Sequence, residues 1–181
     1  MSRAVASRYQ PVLVALHWLV AVMILGLLCL GFFVLEDMPN ADPQKLGILK
    51  WHMAGGMLLL PLMLVRLAIR LRSARPPAAP TGSPRVDRMA AFGHAGFYVL
   101  VLLMIATGFF TGYLISGAYA PGGPALPASF DVFPSFRLHG ILAGILVALI
   151  GVHVVAAFYH HYALKDGLLG RMWFGKRTLH E

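Results

Sequence analysis

The sequence has few charged residues and a single cysteine. Of its 181 residues, 12% are charged and 59% are hydrophobic, with a mean hydropathy of +0.74. An average soluble domain is about 25% charged and about 45–50% apolar. Intrinsic disorder is excluded because it requires low hydrophobicity and high charge. A disulfide scaffold is excluded because Cys29 has no partner in the chain. The composition instead indicates a protein that is partly solvated by lipid.

Acidic residues are also scarce. The chain has 7 Asp and Glu residues against 15 Lys and Arg residues, which gives a net charge of +8. In a soluble protein this charge would suggest nucleic acid, but here the basic residues flank apolar segments, and no basic stripe alternates with stacking aromatics. We therefore expect membrane lipids with anionic headgroups, and no nucleic acid, as partners.

Four long apolar segments occupy residues 11–35, 46–71, 89–115 and 136–162. Each exceeds the length of about 20 residues that a spanning helix needs. Helices are required because lipid cannot satisfy free backbone groups, and the strict alternation of barrel strands is absent. The first segment is too long for a signal peptide, and no small-residue cleavage site follows it. We expect an all-α, integral membrane, four-helix up-down bundle in which residues 1–181 form one domain.

The distribution of basic residues predicts the orientation of this bundle. Most of them precede the first segment, surround the loop between the second and third, or follow the fourth. They are Arg3, Arg8, Arg66, Arg70, Arg72, Arg75, Arg85, Arg88, Lys165, Arg171, Lys176 and Arg177. The other two loops hold only Lys45, Lys50 and Arg137, together with four acidic residues. By the positive-inside rule, both termini are expected in the cytoplasm.

Histidines inside these segments are informative because ionisable residues in a membrane are costly and usually functional. His17 and His153 lie 18 and 17 residues from the outer ends of their segments, which places both about 26 Å from the outer surface. His52 and His139 lie within about 5–9 Å of that surface. Any single histidine could simply donate a hydrogen bond within the bundle, but the four together define two levels, each with two imidazoles from different helices.

His139 and His153 are 14 residues apart and therefore share one face of the fourth helix. A zinc site usually has three or four ligands, often cysteine or carboxylate, but no carboxylate lies in the membrane interior, and Cys29 is alone. A six-coordinate haem iron takes one axial ligand from each side. Two levels therefore predict two haems bound by pairs of histidines, namely His52 with His139 and His17 with His153. They would be non-covalent haem b, because no C-x-x-C-H motif is present.

Glycines are frequent near these histidines. They are Gly55, Gly56, Gly140, Gly144 and Gly151. They are expected to admit a flat macrocycle between the helices, and the alternative is plain close packing of helices.

His94 and His160 need a separate role. His94 begins the third segment at its cytoplasmic end, and His160 lies about 10 Å nearer to the cytoplasm than His153. Both are expected to lie too close to the cytoplasmic surface to share the inner haem with His17. A quinone needs hydrogen-bond donors for its carbonyls and a proton path to water, which histidine supplies. We interpret both as candidate quinone contacts; the alternative is a hydrogen bond to backbone at the interface.

Two cations lie next to the outer histidines. Lys50 and Arg137 each lie two residues before a predicted iron ligand. Their charges could neutralise haem propionates or attract a small anion to the outer haem. The alternative is that both anchor lipid headgroups.

Four stretches of the sequence carry a pattern that is specific in combination. They are ALHWLV, KWHMAGGMLLLPLMLVRLAIRLR, GHAGFYVLVLLMIATG and RLHGILAGILVALIGVHVVAAFYHHYALKD. Together they cover nearly the whole chain and resemble the bacterial cytochrome b561 family. The resemblance implies four helices in the bacterial inner membrane that hold two b haems. The positions that match the family's ligands are His17, His52, His139 and His153.

One branch of that family is similar to membrane superoxide oxidase, which oxidises superoxide at the periplasmic haem and reduces ubiquinone near the cytoplasmic one. The resemblance therefore implies an oxidoreductase that passes electrons from superoxide, or another periplasmic donor, to ubiquinone. Related four-helix cytochromes are membrane subunits of formate dehydrogenase or hydrogenase, so the alternative is a relay between a partner enzyme and the quinone pool. A third interpretation, a transporter or proton channel, would leave the purified protein colourless.

Overall fold

Four long helices make up most of the structure. The computed structural model describes residues 5–77, 79 and 81–180. The long helices are α1 (Pro11–Leu30, continued by the π-helical turn Gly31–Leu35), α2 (Lys45–Arg72), α3 (Pro84–Leu114) and α4 (Pro134–Phe158, continued by the π-helical turn Tyr159–Leu164). A short helix α5 (Leu168–Arg171) follows, and 3₁₀ turns at Ser116–Tyr119 and Phe130–Val132 lie between α3 and α4. The described strands, β1 (Val5–Ala6) and β2 (Leu179–His180), pair in an antiparallel ribbon.

All four long helices are long and apolar enough to cross a membrane. Their most apolar stretches have mean hydropathies between 1.7 and 2.8. Large apolar side chains such as Val22, Phe33, Leu58 and Val155 are exposed on the outside of the bundle, where lipid is the solvent that suits them. The prediction of an all-α integral membrane four-helix bundle is confirmed.

The third helix begins five residues before its apolar run. Pro84 occupies its first turn, where the fixed φ of proline is suited to a helix and its missing N–H is no loss. The hydroxyl and the backbone N–H of Thr81 both donate to Oδ1 of Asp87 in this first turn. Because these first two turns are polar, an apolar pattern alone does not find them.

The core lies midway along the bundle and takes two buried side chains from each helix. They are Val20 and Ile24 of α1, Leu59 and Met63 of α2, Leu100 and Val101 of α3, and Leu142 and Leu146 of α4. These apolar side chains lie between the two ends of the bundle.

Both chain ends and the loop between α2 and α3 meet at one end of the bundle. The Arg177 guanidinium donates to the carbonyl oxygens of Arg8 and Ala74, each at 3.1 Å. Arg171 donates to the Pro77 carbonyl at 2.8 Å. Arg3, one of the predicted cytoplasmic cations, lies outside the described residues. Arg171 and Arg177 therefore bond to backbone as well as adding charge.

We predict that Arg177→Gln loosens the C-terminal tail, because two charged hydrogen bonds are lost, each worth about 1 kcal/mol. Chymotrypsin should cleave after Trp173 or Phe174 several-fold faster in the membrane-embedded variant. Lys176→Gln, which neutralises the exposed neighbouring cation, should be cleaved at the parent rate. Equal rates for all three proteins would show that Arg177 does not hold the tail.

Candidate functional site

Two pairs of imidazoles lie between the helices, one towards each end of the bundle. The rings of His52 on α2 and His139 on α4 have centroids 6.3 Å apart, with their planes at 71°. The rings of His17 on α1 and His153 on α4 also have centroids 6.3 Å apart, with their planes at 64°. The structure thus brings together the same partners that the sequence analysis paired by depth and helix face. We call the first pair the outer pair and the second the inner pair.

Glycines of the other two helices border the outer pair. A Cβ atom added to Gly108 of α3 would lie 3.0 Å from Cε1 of His139, and one added to Gly31 would lie 3.7 Å from Cε1 of His52. A contact of 3.0 Å is too short for a side chain to fit without displacing the ring. Gly108 therefore lets α3 approach His139 closely, whereas at Gly31 a Cβ would make only an ordinary van der Waals contact with His52.

Thr107 determines which ring nitrogen of His139 carries the hydrogen. Its Oγ1 lies 2.9 Å from the Leu103 carbonyl oxygen, 3.0 Å from that of Met104 and 3.0 Å from Nδ1 of His139. A hydroxyl has one hydrogen, which here goes to a carbonyl of its own helix. The Thr107 oxygen then accepts from Nδ1–H of His139, which leaves Nε2 with a free lone pair. Such an outer hydrogen bond is typical of metal-binding histidines.

A cavity of about 430 Å³ adjoins the outer pair. Both outer imidazoles line it, and its other walls are largely apolar or glycine. Its glycines are Gly31, Gly56, Gly108, Gly112 and Gly140. Of the glycines noted in the sequence, Gly56 and Gly140 line this cavity, whereas the two that border an imidazole belong to α1 and α3. The Nδ1 atom of His52 is buried and has no hydrogen-bond partner among the described residues.

Lys45 lines the same cavity at its outer side, beneath the loops. The residue is only 5% exposed. Its Nζ donates to the Met38 carbonyl oxygen at 2.5 Å and lies 5.6 Å from the Phe130 ring centroid. In the sequence, Lys45 is interpreted only as a loop charge. It lies seven residues before His52, which is two helical turns on the same face, and this spacing predicts a position near the outer pair.

The two predicted outer cations lie elsewhere. Lys50 is exposed, with Nζ 5.6 Å from the Tyr119 ring centroid, and Arg137 is exposed as well. Neither lines the cavity. Burial raises the pKa of the Tyr119 phenol, so this ring stays neutral beside Lys50. A role for Lys50 and Arg137 in binding or catalysis stays a prediction.

A third histidine adjoins the inner pair. The ring of His94 on α3 lies edge-on to that of His153, with centroids 5.7 Å apart, and Phe97 lies 5.3 Å from the same ring. Nδ1 of His94 donates to the Ala90 carbonyl oxygen at 2.7 Å. His94 is closer to the inner pair than its expected depth allowed. The reason is that α3 begins at Pro84, so His94 lies ten residues into the helix rather than at its start.

Arg66 is the principal polar residue that the sequence analysis missed. It was counted with the loop cations, but it lies inside α2, six residues before the helix ends. Its Nη1 donates to the Tyr98 hydroxyl oxygen, and its Nη2 lies 3.4 Å from Nδ1 of His17. Its Nε is buried without a hydrogen-bond partner in the described part of the chain. A permanent cation therefore borders the inner pair.

One spacing relates all these positions. In each long helix, two residues 14 apart lie at the two levels, because 14 residues make nearly four helical turns. The outer level consists of Gly31, His52, Gly108 and His139, and the inner level of His17, Arg66, His94 and His153. The outer level thus has two imidazoles and two glycines. The inner level has three imidazoles and a guanidinium, and is far more polar.

His160 lies beyond the inner pair, towards the end of the bundle that carries the termini. It is buried, and its Nδ1 donates to Oδ2 of Asp166 at 2.5 Å. Desolvation acts to raise the pKa of the Asp166 carboxyl, but hydrogen bonds from His160 and from the Leu168 N–H lower it, and the net pKa lies below its ordinary value. Asp166 is therefore an ionised partner that holds the proton of His160 at Nδ1.

Comparison with known proteins yields one consistent family. The family model for prokaryotic cytochrome b561 matches residues 8–175. A probable superoxide oxidase CybB from Yersinia pestis is 30% identical over 177 residues, which cover 94% of this chain and 98% of that protein. Cytochrome b561 homolog 2 from Escherichia coli (strain K12) is 31% identical, covering 92% of this chain and 91% of the relative. Cytochrome b562 from Cereibacter sphaeroides is 31% identical, covering 91% and 94% respectively.

The family match extends over all four spanning helices and includes both imidazole pairs. The resemblance expected from the sequence motifs is confirmed. The chain belongs to the prokaryotic cytochrome b561 family, a family of bacterial membrane proteins of electron transfer, and this membership implies that it binds haem b.

Proposed function

We propose that the protein is a di-haem b cytochrome that transfers electrons across the membrane from a periplasmic donor, superoxide, to ubiquinone. His52 and His139 would hold the outer haem, and His17 and His153 the inner one. The observation that carries this proposal is the pair of imidazoles at each of two levels, one pair towards each end of the bundle.

The residues present fit a haem b at each level. A metal–imidazole bond is about 2 Å long, so two imidazoles that both bound one metal ion between them would have ring centroids about 6 Å apart. Both pairs match this separation. The unpartnered Nδ1 of His52 and the largely apolar cavity beside the outer pair also fit an apolar macrocycle with a polar centre. When bound, haem supplies a centre that gains and loses one electron.

The chain's own contribution is to position the imidazoles and to disfavour a proton path between the two levels. Thr107 accepts the Nδ1 hydrogen of His139 and so directs the lone pair of Nε2 away from itself. The core side chains between the two levels are apolar and offer water no hydrogen-bond partner, which disfavours a proton path through the middle of the bundle.

We further propose that the chain forms one domain with both termini in the cytoplasm of a bacterium. The end of the bundle that joins the termini to the loop between α2 and α3 carries most of the basic residues, in line with the positive-inside rule. On this orientation the outer pair and its cavity face the periplasm, and the inner pair with His94 and His160 faces the cytoplasm.

Cations on the periplasmic side support an anionic donor. Lys50 and Arg137 are exposed there, and the buried Lys45 lines the cavity next to the outer pair, together with Glu36 and Asp131. Cations around a site raise the local concentration of a small anion such as superoxide. The relative from Yersinia pestis, which bears the name of a probable superoxide oxidase, points to the same donor.

The cytoplasmic side offers groups that suit a quinone. His94 is exposed while its ring contacts His153, so a molecule in the lipid can reach it. Its Nδ1–H is engaged by the Ala90 carbonyl oxygen, which leaves Nε2 free to accept or carry a proton. His160, held by Asp166, lies nearer to the cytoplasm. The overall reaction would be two superoxide ions, one ubiquinone and two protons giving two dioxygen molecules and one ubiquinol.

A second candidate is a membrane subunit that relays electrons between a partner dehydrogenase or hydrogenase and quinone. It is favoured by the relatives of equal similarity whose names describe only a cytochrome, without a donor. The two functions differ in whether the protein needs a partner to be reduced.

We predict that the purified protein contains two haems b per chain, counted from the pyridine haemochrome spectrum. His17→Ala and His52→Ala should each lose one haem, and reduced-minus-oxidised spectra should show that the two lost haems differ. His161→Ala, a control at an exposed histidine, should retain both. A colourless protein, or two haems in both variants, would contradict the assignment.

We predict that Gly108→Ala impairs the outer site, because its Cβ would press on the His139 ring at 3.0 Å. Overpacking of this kind costs about 1–3 kcal/mol. Haem content should fall, or the spectrum of the outer haem should change, while the inner haem is retained. Gly93→Ala on the same helix, where an added Cβ meets nothing within 4 Å, is the matched control; equal behaviour of the two variants would refute the contact.

We predict that superoxide reduces the haem-loaded protein without any partner. The Lys50→Gln, Arg137→Gln double variant should be reduced several-fold more slowly at low ionic strength, and salt should narrow the difference, because screening weakens electrostatic attraction. Arg85→Gln, at the opposite end of the bundle, should behave like the parent. Failure of superoxide to reduce the fully loaded protein would favour the relay function.

A further inference from the structure

The inner level contains a charge, that of Arg66, which forms no salt bridge with a carboxylate of the described residues. Arg66 cannot lose its proton at accessible pH, and a charge within a membrane-spanning helix is costly unless it has a use. Within the described residues the ion pair between His160 and Asp166 is the one salt bridge, so Arg66 is not part of one. Its partners are the Tyr98 hydroxyl and the edge of the His17 ring.

Among the residues that the structure describes, no cation lies as close to an imidazole of the outer level as Arg66 lies to His17. On α2 the residue 14 positions before Arg66 is His52 itself, and Gly31 and Gly108 complete that level. The nearest buried cation there is Lys45, seven residues or about 10 Å along the helix from His52. The guanidinium of Arg66, by contrast, lies 3.4 Å from the His17 imidazole. The two levels therefore differ in electrostatic potential.

A nearby positive charge favours the form of a redox centre that carries one more electron. Coulomb energy falls with distance and grows as the dielectric constant falls, so a half-buried guanidinium beside an imidazole acts far more strongly than an exposed cation. The contact with Tyr98 holds the guanidinium at this position.

We propose that Arg66 raises the reduction potential of the inner haem relative to the outer one, and so directs electrons towards the cytoplasmic side. Tyr98 is the residue that positions it. This inference rests on the proposed function, because it requires a haem at each level. It assigns a role to a residue that is neither a ligand nor a quinone contact.

The test is a spectroscopic redox titration of the purified, haem-loaded protein. Arg66→Gln and Arg66→Met remove the charge, and methionine is compatible with a bundle interior if glutamine is not. Either should make the inner haem at least tenfold harder to reduce, a shift of about −59 mV for one electron. The inner haem is identified as the one that His17→Ala lacks. Arg66→Lys keeps the charge and should retain most of the parent potential.

The control variants distinguish an effect of the Arg66 charge on the potential from an effect on the structure of the site. Arg72→Gln neutralises an exposed arginine at the end of the same helix and should leave both potentials unchanged. Unchanged potentials in the neutral Arg66 variants, an equal shift of both haems, or the same shift in Arg66→Lys would each overturn the proposal.

Two further outcomes are distinguishable. If both neutral variants lose the inner haem while Arg66→Lys keeps it, and Tyr98→Phe does not lower its potential, then Arg66 holds the site together and the proposal is wrong. If the parent protein itself does not bind two haems, the proposed function fails, whatever the variants do.

Discussion

Polar side chains inside a membrane must face the interior of the bundle, and this constraint organises the whole structure. An α-helix returns to the same face after 14 residues, a rise of about 21 Å. Each long helix uses this spacing once, so that four helices place eight residues at two levels. The apolar layer between the levels then follows, because the intervening residues on the same faces pack against each other.

The two levels are similar in geometry but opposite in character. The outer pair has glycines as its neighbours and adjoins a large cavity, so this end of the bundle has room beside the imidazoles. The inner pair has His94 and Arg66 as its neighbours, so this end of the bundle has hydrogen-bonding groups and a charge beside the imidazoles. The two levels therefore differ in polarity and in the space around the imidazoles.

The sequence was sufficient for those features that depend on a single helix. Length and hydropathy predicted the four spans, and depth predicted which histidines share a level. It was insufficient where a residue's environment depends on a neighbouring helix. Arg66 and Lys45 were read as loop charges because positive charge near the end of an apolar run is usually topological. Gly31 and Gly108 were not noticed, because each supports a histidine on a different helix. The start of α3 is polar, so a search for apolar residues does not predict it, although it sets the depth of His94.

The sequence by itself determined the number of helices, their alternating direction and the pairing of His52 with His139 and of His17 with His153. These follow from periodicity and from the cost of polar groups in lipid, which act along one helix at a time. Only the tertiary structure decided that Arg66 lies against His17, that the Thr107 hydroxyl oxygen accepts the Nδ1 hydrogen of His139, and that Asp166 accepts that of His160. Such contacts depend on the rotation of each helix about its axis. That rotation is set by the packing of all four helices together and cannot be obtained from any one of them.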